Sequence, residues 1–285
     1  MAVWAKHAIL RTSARFTEKV KIQLFTVRFV WIQLVCVNMP TIWAAYGYSV
    51  KRGMCEMKKV PKKLYKYRAL SGDSFKYTMD IFLNNRIYMP SRKSLNDPFE
   101  GVQNIYLGMG GNPSKQDIAE LWEKMLEKYG VYSLSRCPAI PQMWAHYADG
   151  FKGVCLEFST SGIFSKAREV LYTKDIIENA DLKGLGKDGA IPFPTMLEAI
   201  MLRKSDGWAY EEEWRLLDDR RLNNPNFDMR YIYLLENEIT AVILWSAIAE
   251  ADEQFVREMI KSKPHIKLQR CRIIENRYEV EIVDI

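Results

Sequence analysis

Histidine and cysteine are scarce in this chain. Its 285 residues hold three histidines, His7, His146 and His265, and five cysteines, Cys36, Cys55, Cys137, Cys155 and Cys271. No two cysteines form a Cys-x-x-Cys pair, and their number is odd. That pattern excludes a disulfide framework and a thiolate zinc site, and it fits a reducing cytoplasm. Three isolated histidines argue against an imidazole metal cluster, so no metal is expected. The glycine-rich turn over 108–113 lacks the Lys and Ser/Thr of a phosphate loop, which argues against nucleotide binding of that type. No internal repeat is present, so a solenoid or propeller is excluded. Acidic residues are almost missing from the first 63 positions, where only Glu18 and Glu56 occur. Much of the net charge of +6 therefore lies in that segment. The remainder is near balance, and charge alone does not point to a nucleic-acid partner.

Residues 1–56 differ in texture from everything that follows. Lys6, Arg11, Arg15, Lys19, Lys21 and Arg28 make the first half basic, and Phe29 to Tyr48 then carries no charge. That run is long enough to span a bilayer, and the flanking cations favour an inside N-terminus. Gln33, Asn38 and Pro40 interrupt it, and a signal peptide fits poorly because the basic region is too long. Three readings stay open: a non-native or unstructured extension, a membrane anchor through 29–48, or a small subdomain. Met54 and Met57 stand just before a plausible start for a separate domain. The expected division is an extension over 1–56 and a single domain over 57–285. The expected location is cytoplasmic, or membrane-anchored if 29–48 inserts.

Within 57–285 the periodicity switches repeatedly between two and three-to-four. Strands are expected at 64–68, 86–90, 131–135, 153–158, 170–173, 211–217, 239–245, 266–273 and 278–285. Helices are expected at 75–84, 114–129, 162–170, 195–203 and 249–261. Ser114 with Asp117 three residues on forms a capping box. A polar, glycine-rich insertion or mobile loop is expected over 176–194. Strands and helices do not alternate regularly, so the predicted class is α+β with a largely antiparallel sheet and flanking helices.

The stretch Gln142 to Phe158 stands out. Trp144, Tyr147 and Phe151 recur at helical spacing, so a turn or two of helix can bury them together. Asp149-Gly150 stops that helix, and Gly153 to Phe158 reads as a buried strand. His146 sits among these aromatics either as a hydrogen-bonded core residue or on the wall of a site. Asn96-Asp97-Pro98 is a turn whose side chains either cap it or face the same pocket. The expectation is that Trp144, His146 and Tyr147 line one pocket with Asn96 and Asp97.

Five blocks occur in order: Tyr65-Lys66-Tyr67-Arg68, Leu95 to Glu100, Ser133-Leu134-Ser135, Met143 to Ala148 with Lys152 to Cys155, and Trp208 to Arg215. Together they resemble the signature of domain-of-unknown-function family 2971, over about residues 62–285. The resemblance implies a bacterial soluble domain and no particular chemistry.

The order Arg68, Ser133-x-Ser135, Glu211-x-Glu213 also resembles the Arg, Ser-x-Ser, Glu-x-Glu series of ADP-ribosyltransferases, each element on a strand. That resemblance implies NAD as co-substrate. Arg68 would pair with its phosphates, and Ser133 and Ser135 would shape the nicotinamide-ribose pocket. Glu213 would bind the ribose and steady the cationic sugar, and Glu211 would engage an acceptor in nucleic acid or protein. The chemistry is sound, because a fixed carboxylate stabilises the oxocarbenium-like centre left by nicotinamide. On one continuous strand Glu211 and Glu213 would share a face and Glu212 would point away. The plainer alternative is that Arg68 and Arg215 pair with Glu213 and Glu211 and tie two strands together.

Two further classes remain open. A metal-dependent phosphodiesterase would draw Mg²⁺ ligands from Asp97, Glu100, His146, Asp149 and Glu157, with Lys152 on a phosphate. A non-catalytic module would use Trp144, Tyr147 and Trp214 to hold a base or nucleotide.

Overall fold

The computed structural model describes residues 59–104, 114–178, 193–224 and 230–285. The chain divides between Lys51 and Arg52, and every described residue lies in the second unit. The basic extension, the run 29–48 and the glycine-rich turn over 108–113 lie outside the described residues, as does most of the polar insertion.

An eight-stranded sheet organises the domain. Its strands are β1 Lys63–Arg68, β4 Gly130–Ser135, β5 Val154–Ser159, β6 Arg168–Glu169, β10 Glu213–Asp218, β12 Ile239–Trp245, β13 Lys267–Ile273 and β14 Val280–Asp284. They lie in the order β14-β13-β12-β5-β1-β4-β10-β6. Every adjacent pair is antiparallel except β12 with β13. That parallel pair needs a crossover, which the helix α6 Glu250–Ile260 supplies. The predicted α+β class with a largely antiparallel sheet is what forms. Smaller two-stranded pairs join β2 Arg86–Tyr88 to β11 Tyr231–Tyr233, β3 Gln103–Asn104 to β8 Ile177–Glu178, and β7 Leu171–Thr173 to β9 Arg203–Ser205.

Both faces of the sheet are covered. Side chains alternate along each strand, and residues paired across strands share a face. Leu64, Tyr132, Leu134, Leu156, Phe158, Trp214 and Leu216 form one face. It packs against Ile81 and Phe82 of α1 Phe75–Asn84 and against Val256 and Ile260 of α6. Tyr67, Cys155, Ile243 and Cys271 form the other, beneath Met143 and Trp144 of α3 Pro141–Tyr147. A further cluster packs α2 Lys115–Lys128 against α4 Phe193–Met201 and the start of β4. The Ser114 capping box is present in full, with Asp117 bonded back to the Ser114 backbone. A short helix, α5 Arg220–Asn223, follows β10.

The corner between α3 and β5 follows the expected plan. Trp144 is fully buried, its ring 5.3 Å from those of Tyr67 and Trp245. Phe151 joins the same cluster, 4.7 Å from Trp245. The turn between uses three successive left-handed residues, Asp149, Gly150 and Phe151, with φ of 52°, 58° and 71°. Phe151 tolerates that backbone only because its ring is anchored. Gly153 then passes so close to β1 that an added Cβ would stand 2.2 Å from the Arg68 carbonyl oxygen. Gly153→Ala must push two backbones apart, so we expect a thermal melt to show a loss of roughly 1–3 kcal/mol. An unchanged melting temperature would mean that the corner is not held closed by this contact.

Three expectations fail locally. Residues 162–170 do not form a helix; a 3-10 turn spans Ile163–Lys166, because Phe164 is drawn into the core against Phe158 and Tyr132. Glu211 is not on a strand, since a 3-10 turn runs Asp206–Glu211 and β10 begins at Glu213. The short strands β9 and β11 have no apolar alternation to announce them and exist through their partners β7 and β2.

Candidate functional site

A buried ionic cluster lies where β10, β9 and the loop before β3 meet. Arg215 is fully buried and points away from the large apolar core of β10, on the side opposite Trp214 and Leu216. Its guanidinium grips Glu100 with two bonds, Nη1 to Oε2 at 2.8 Å and Nη2 to Oε1 at 2.5 Å. It also donates to Glu213, Nε to Oε1 at 2.7 Å and Nη2 to Oε2 at 2.9 Å, and to the Met201 carbonyl at 2.6 Å. Lys204 adds a second cation, donating to Glu211 Oε2 at 2.6 Å and Glu213 Oε2 at 3.2 Å. Three carboxylates thus share two cations, all almost wholly buried.

The electrostatics separate these carboxylates. Burial alone would raise Glu213, but Arg215, Lys204 and the Ser133 hydroxyl outweigh it and hold the acid down to about 2. At Glu100 burial wins over Arg215, and its pKa lies above the usual value. Lys204 would be lowered by burial, yet Glu213 and Glu211 raise it overall.

Glu212 explains how Glu211 and Glu213 meet. Its φ of 45° is left-handed and turns the chain between the 3-10 turn and β10. Both neighbours then reach Lys204 while Glu212 stays exposed. The expected meeting of Glu211 and Glu213 occurs, but through a kink rather than a shared strand face.

Towards the surface the cluster ends on aromatic groups. The Tyr147 hydroxyl donates to Glu211 Oε1 at 2.6 Å and accepts from the Asn96 side-chain amide at 2.7 Å. Burial, then Glu211, pushes the Tyr147 phenol above its ordinary value, so it stays a donor. His146 is exposed, its ring centroid 6.2 Å from Tyr147 and 6.4 Å from Tyr210. Trp208 lies 6.1 Å from Tyr210 and takes the Lys204 amine 5.0 Å from its centroid.

Tyr147 therefore meets Asn96 on one side and lies beside His146 on the other. Trp144 does not join them: its indole is in the core, with Nε1 bonded to the Pro138 carbonyl. Helical geometry sends positions 144 and 147 along one stripe, but only Tyr147 reaches the end of the sheet where Glu211 waits. Asp97 is buried; Oδ1 accepts from the Phe99 amide and Oδ2 has no partner. Since His146 is exposed, His146→Gln should leave the stability within roughly 0.5 kcal/mol of the parent in a thermal scan. A larger loss would make it a structural residue.

The serines belong to the cluster. Ser133 bonds Glu213, and Ser135 Oγ donates to the Glu211 carbonyl at 2.7 Å. Arg68 does not belong. Ser135 pairs with Tyr65, so Tyr65 and Tyr67 share its face and Arg68 takes the opposite one. Its guanidinium donates to Thr78 Oγ1 and to the Ser74 carbonyl, each at 3.2 Å. The alternative pairing does not form as expected: Arg215 holds Glu213, along one strand, and Arg68 bonds neither glutamate.

The phosphodiesterase ligands do not gather. Glu157 is tied to Lys63, Tyr65 and Thr240, and Asp149 accepts from Ser71. Among the described residues no group of three His, Cys, Asp or Glu side chains is disposed to hold a metal ion. Trp214 faces the apolar core, so it cannot line a pocket with Tyr147. Among the described residues no helix is long and apolar enough to cross a membrane.

Lys204 is the residue that pattern reading missed. It lies in a short polar stretch, Arg203-Lys204-Ser205-Asp206, that reads as solvated. Arg215 was legible in principle, as a lone charge inside Trp214-Arg215-Leu216-Leu217.

Among known proteins, no curated sequence and no solved structure matches the chain. The family model described as protein of unknown function (DUF2971) matches residues 143–216. That stretch runs from α3 to β10 and contains Tyr147, Lys204, Glu211, Glu213 and Arg215. The segment that resembles the family of unknown function DUF2971 is thus the one that builds most of the ionic cluster.

Proposed function

We propose that this domain is an ADP-ribosyltransferase-like enzyme that uses NAD and modifies nucleic acid or protein. One observation carries the reading. β1, β4 and β10, the strands of Arg68, of the Ser-x-Ser pair and of Glu213, are consecutive neighbours in the sheet. The Ser133–Glu213 bond adds support, as does a Glu213 carboxylate held ionised at about 2. A positioned anion of that kind is what a cationic sugar needs as nicotinamide leaves. Glu211, reached through the Tyr147 hydroxyl, is the carboxylate nearer the exposed aromatic rings and the natural neighbour of an acceptor. The reading departs from the resemblance at Arg68, which faces the other way.

A second reading is favoured by a different fact. Glu213 is 3% exposed, and Arg215 and Lys204 occupy both of its oxygens. A domain whose carboxylates never open would hold a planar ring against His146, Tyr147 and Tyr210 without turnover. Release of free nicotinamide from NAD, with mixed RNA, DNA and protein as acceptors, separates the two. Turnover is the expected result. Saturable NAD binding without release would replace the enzyme by a binding module.

A further inference from the structure

The sheet carries a second polar group on the face away from Glu213. β1 and β4 are paired at one register position only, Tyr65 with Ser135. Beyond it the Lys66 amine reaches the Ser133 carbonyl at 2.7 Å, where a backbone amide would otherwise stand. Lys66 and Arg68 are two apart and share the face of Leu64, which Tyr132 also occupies. The Lys66 amine lies 4.9 Å from the Tyr132 ring centroid.

Three features of this group are unusual together. The Tyr132 hydroxyl is buried and has no hydrogen-bond partner, an unfavourable state for a polar group. Both cations donate to neutral oxygens, Lys66 to the Ser133 carbonyl and Arg68 to Thr78 Oγ1 and the Ser74 carbonyl. The titratable groups beside Arg68 are the phenols of Tyr132 and Tyr77, which are neutral. The acids that Lys66 feels are Glu213 and Glu211, which Lys204 and Arg215 already hold. Burial and then Arg68 consequently push the Lys66 amine down to about 7. The N-terminus of α1 adds the same sign: Ser74 makes no side-chain cap, and no acid stands in the first turn.

We propose that Lys66, Arg68 and the Tyr132 hydroxyl form a binding site for a compact oxyanion, a phosphate or sulfate group, on the face opposite the glutamate cluster. An oxyanion accepts from all three donors at once, gives the orphaned hydroxyl its partner and neutralises two like charges. The site goes beyond the NAD reading and stands whether or not NAD is consumed. Its ligand is either a free oxyanion or the phosphate of a nucleotide.

The test is a sulfate titration of the full chain at constant ionic strength, with chloride exchanged for sulfate. Thermal melting and calorimetry are read in parallel. Sulfate should raise the melting temperature of the parent by mass action. Lys66→Met should abolish the response and Lys66→Arg should keep it. Tyr132→Phe is the sharper variant. It should weaken sulfate binding about tenfold or more, the value of a hydrogen bond to a charged group. It should not destabilise the anion-free protein, because the hydroxyl it removes was unpaired. ADP binding more tightly than sulfate supports a nucleotide phosphate; equal affinity supports a free oxyanion. Sulfate acting alike on the parent, Lys66→Met and Tyr132→Phe, or not at all on the parent, overturns the site.

Discussion

Arg215→Met is expected to be the most destabilising substitution in the domain, by roughly 3–5 kcal/mol. The side chain sits at zero exposure and its five donated bonds hold two carboxylates and a carbonyl. Removing it leaves Glu100 and Glu213 buried with Lys204 as the remaining cation, and Lys204 lies 3.6 Å from Glu100. The loss is a large share of the roughly 5–15 kcal/mol that holds a typical domain folded. Methionine fills most of the volume, so the effect reports stranded charge and not a cavity.

The pH dependence gives the check. In the parent, Glu213 is held at about 2, below its ordinary value. Its contribution is therefore fully present above the ordinary glutamate range and is lost as pH falls through about 2. In the variant a stranded glutamate is raised above its unfolded value, as two buried like charges require. The folded state then binds a proton that the unfolded state lacks. Stability should recover as pH falls through the raised pKa towards the ordinary glutamate range, opposite in sign to the Glu213 contribution in the parent and larger than the recovery that Glu100, already raised, gives there. Urea melts of both proteins between neutral and mildly acidic pH measure this. Parallel curves would mean that the carboxylates find other partners.

How much of this was legible depended on whether a residue's surroundings are local. The strands β1, β4, β5, β12 and β13 alternate or run apolar, and sequence periodicity located each of them. The Ser114 capping box was readable because its two halves are three residues apart. Glu211 and Glu213 were picked out by spacing, but the kink at Glu212 was not, since a left-handed glutamate leaves no mark in composition. Glu100 lies 115 positions from Arg215, and only the folded sheet joins them. The same limit explains Arg68. Its order along the chain suits a site shared with Ser135, but one residue of register decides its face, and the pairing of Tyr65 with Ser135 decides it the other way.

Glu213→Gln should lower NAD turnover by about 10² to 10³, the effect of removing one fixed electrostatic stabiliser of the transition state. Glu212→Gln is the control, because Glu212 is exposed on the outside of the kink and touches neither Lys204 nor Arg215. The cluster makes the experiment harder than a surface substitution. Gln keeps the shape of Glu213 but leaves Arg215 and Lys204 with one carboxylate fewer, so stability should fall by roughly 1–3 kcal/mol. Turnover is therefore compared at a temperature where both variants are fully folded, with the folded fraction read by near-ultraviolet circular dichroism. Under those conditions a structural role predicts equal turnover per folded molecule. A catalytic role predicts near silence in Glu213→Gln and full activity in Glu212→Gln. Glu211→Gln adds a second discrimination. Glu211 meets the surface through Tyr147, so its loss should cut transfer to an acceptor more than simple release of nicotinamide to water. Equal turnover per folded molecule in the parent and all three variants would remove the glutamates from the chemistry. The ionic cluster would then be a strut beneath a binding surface.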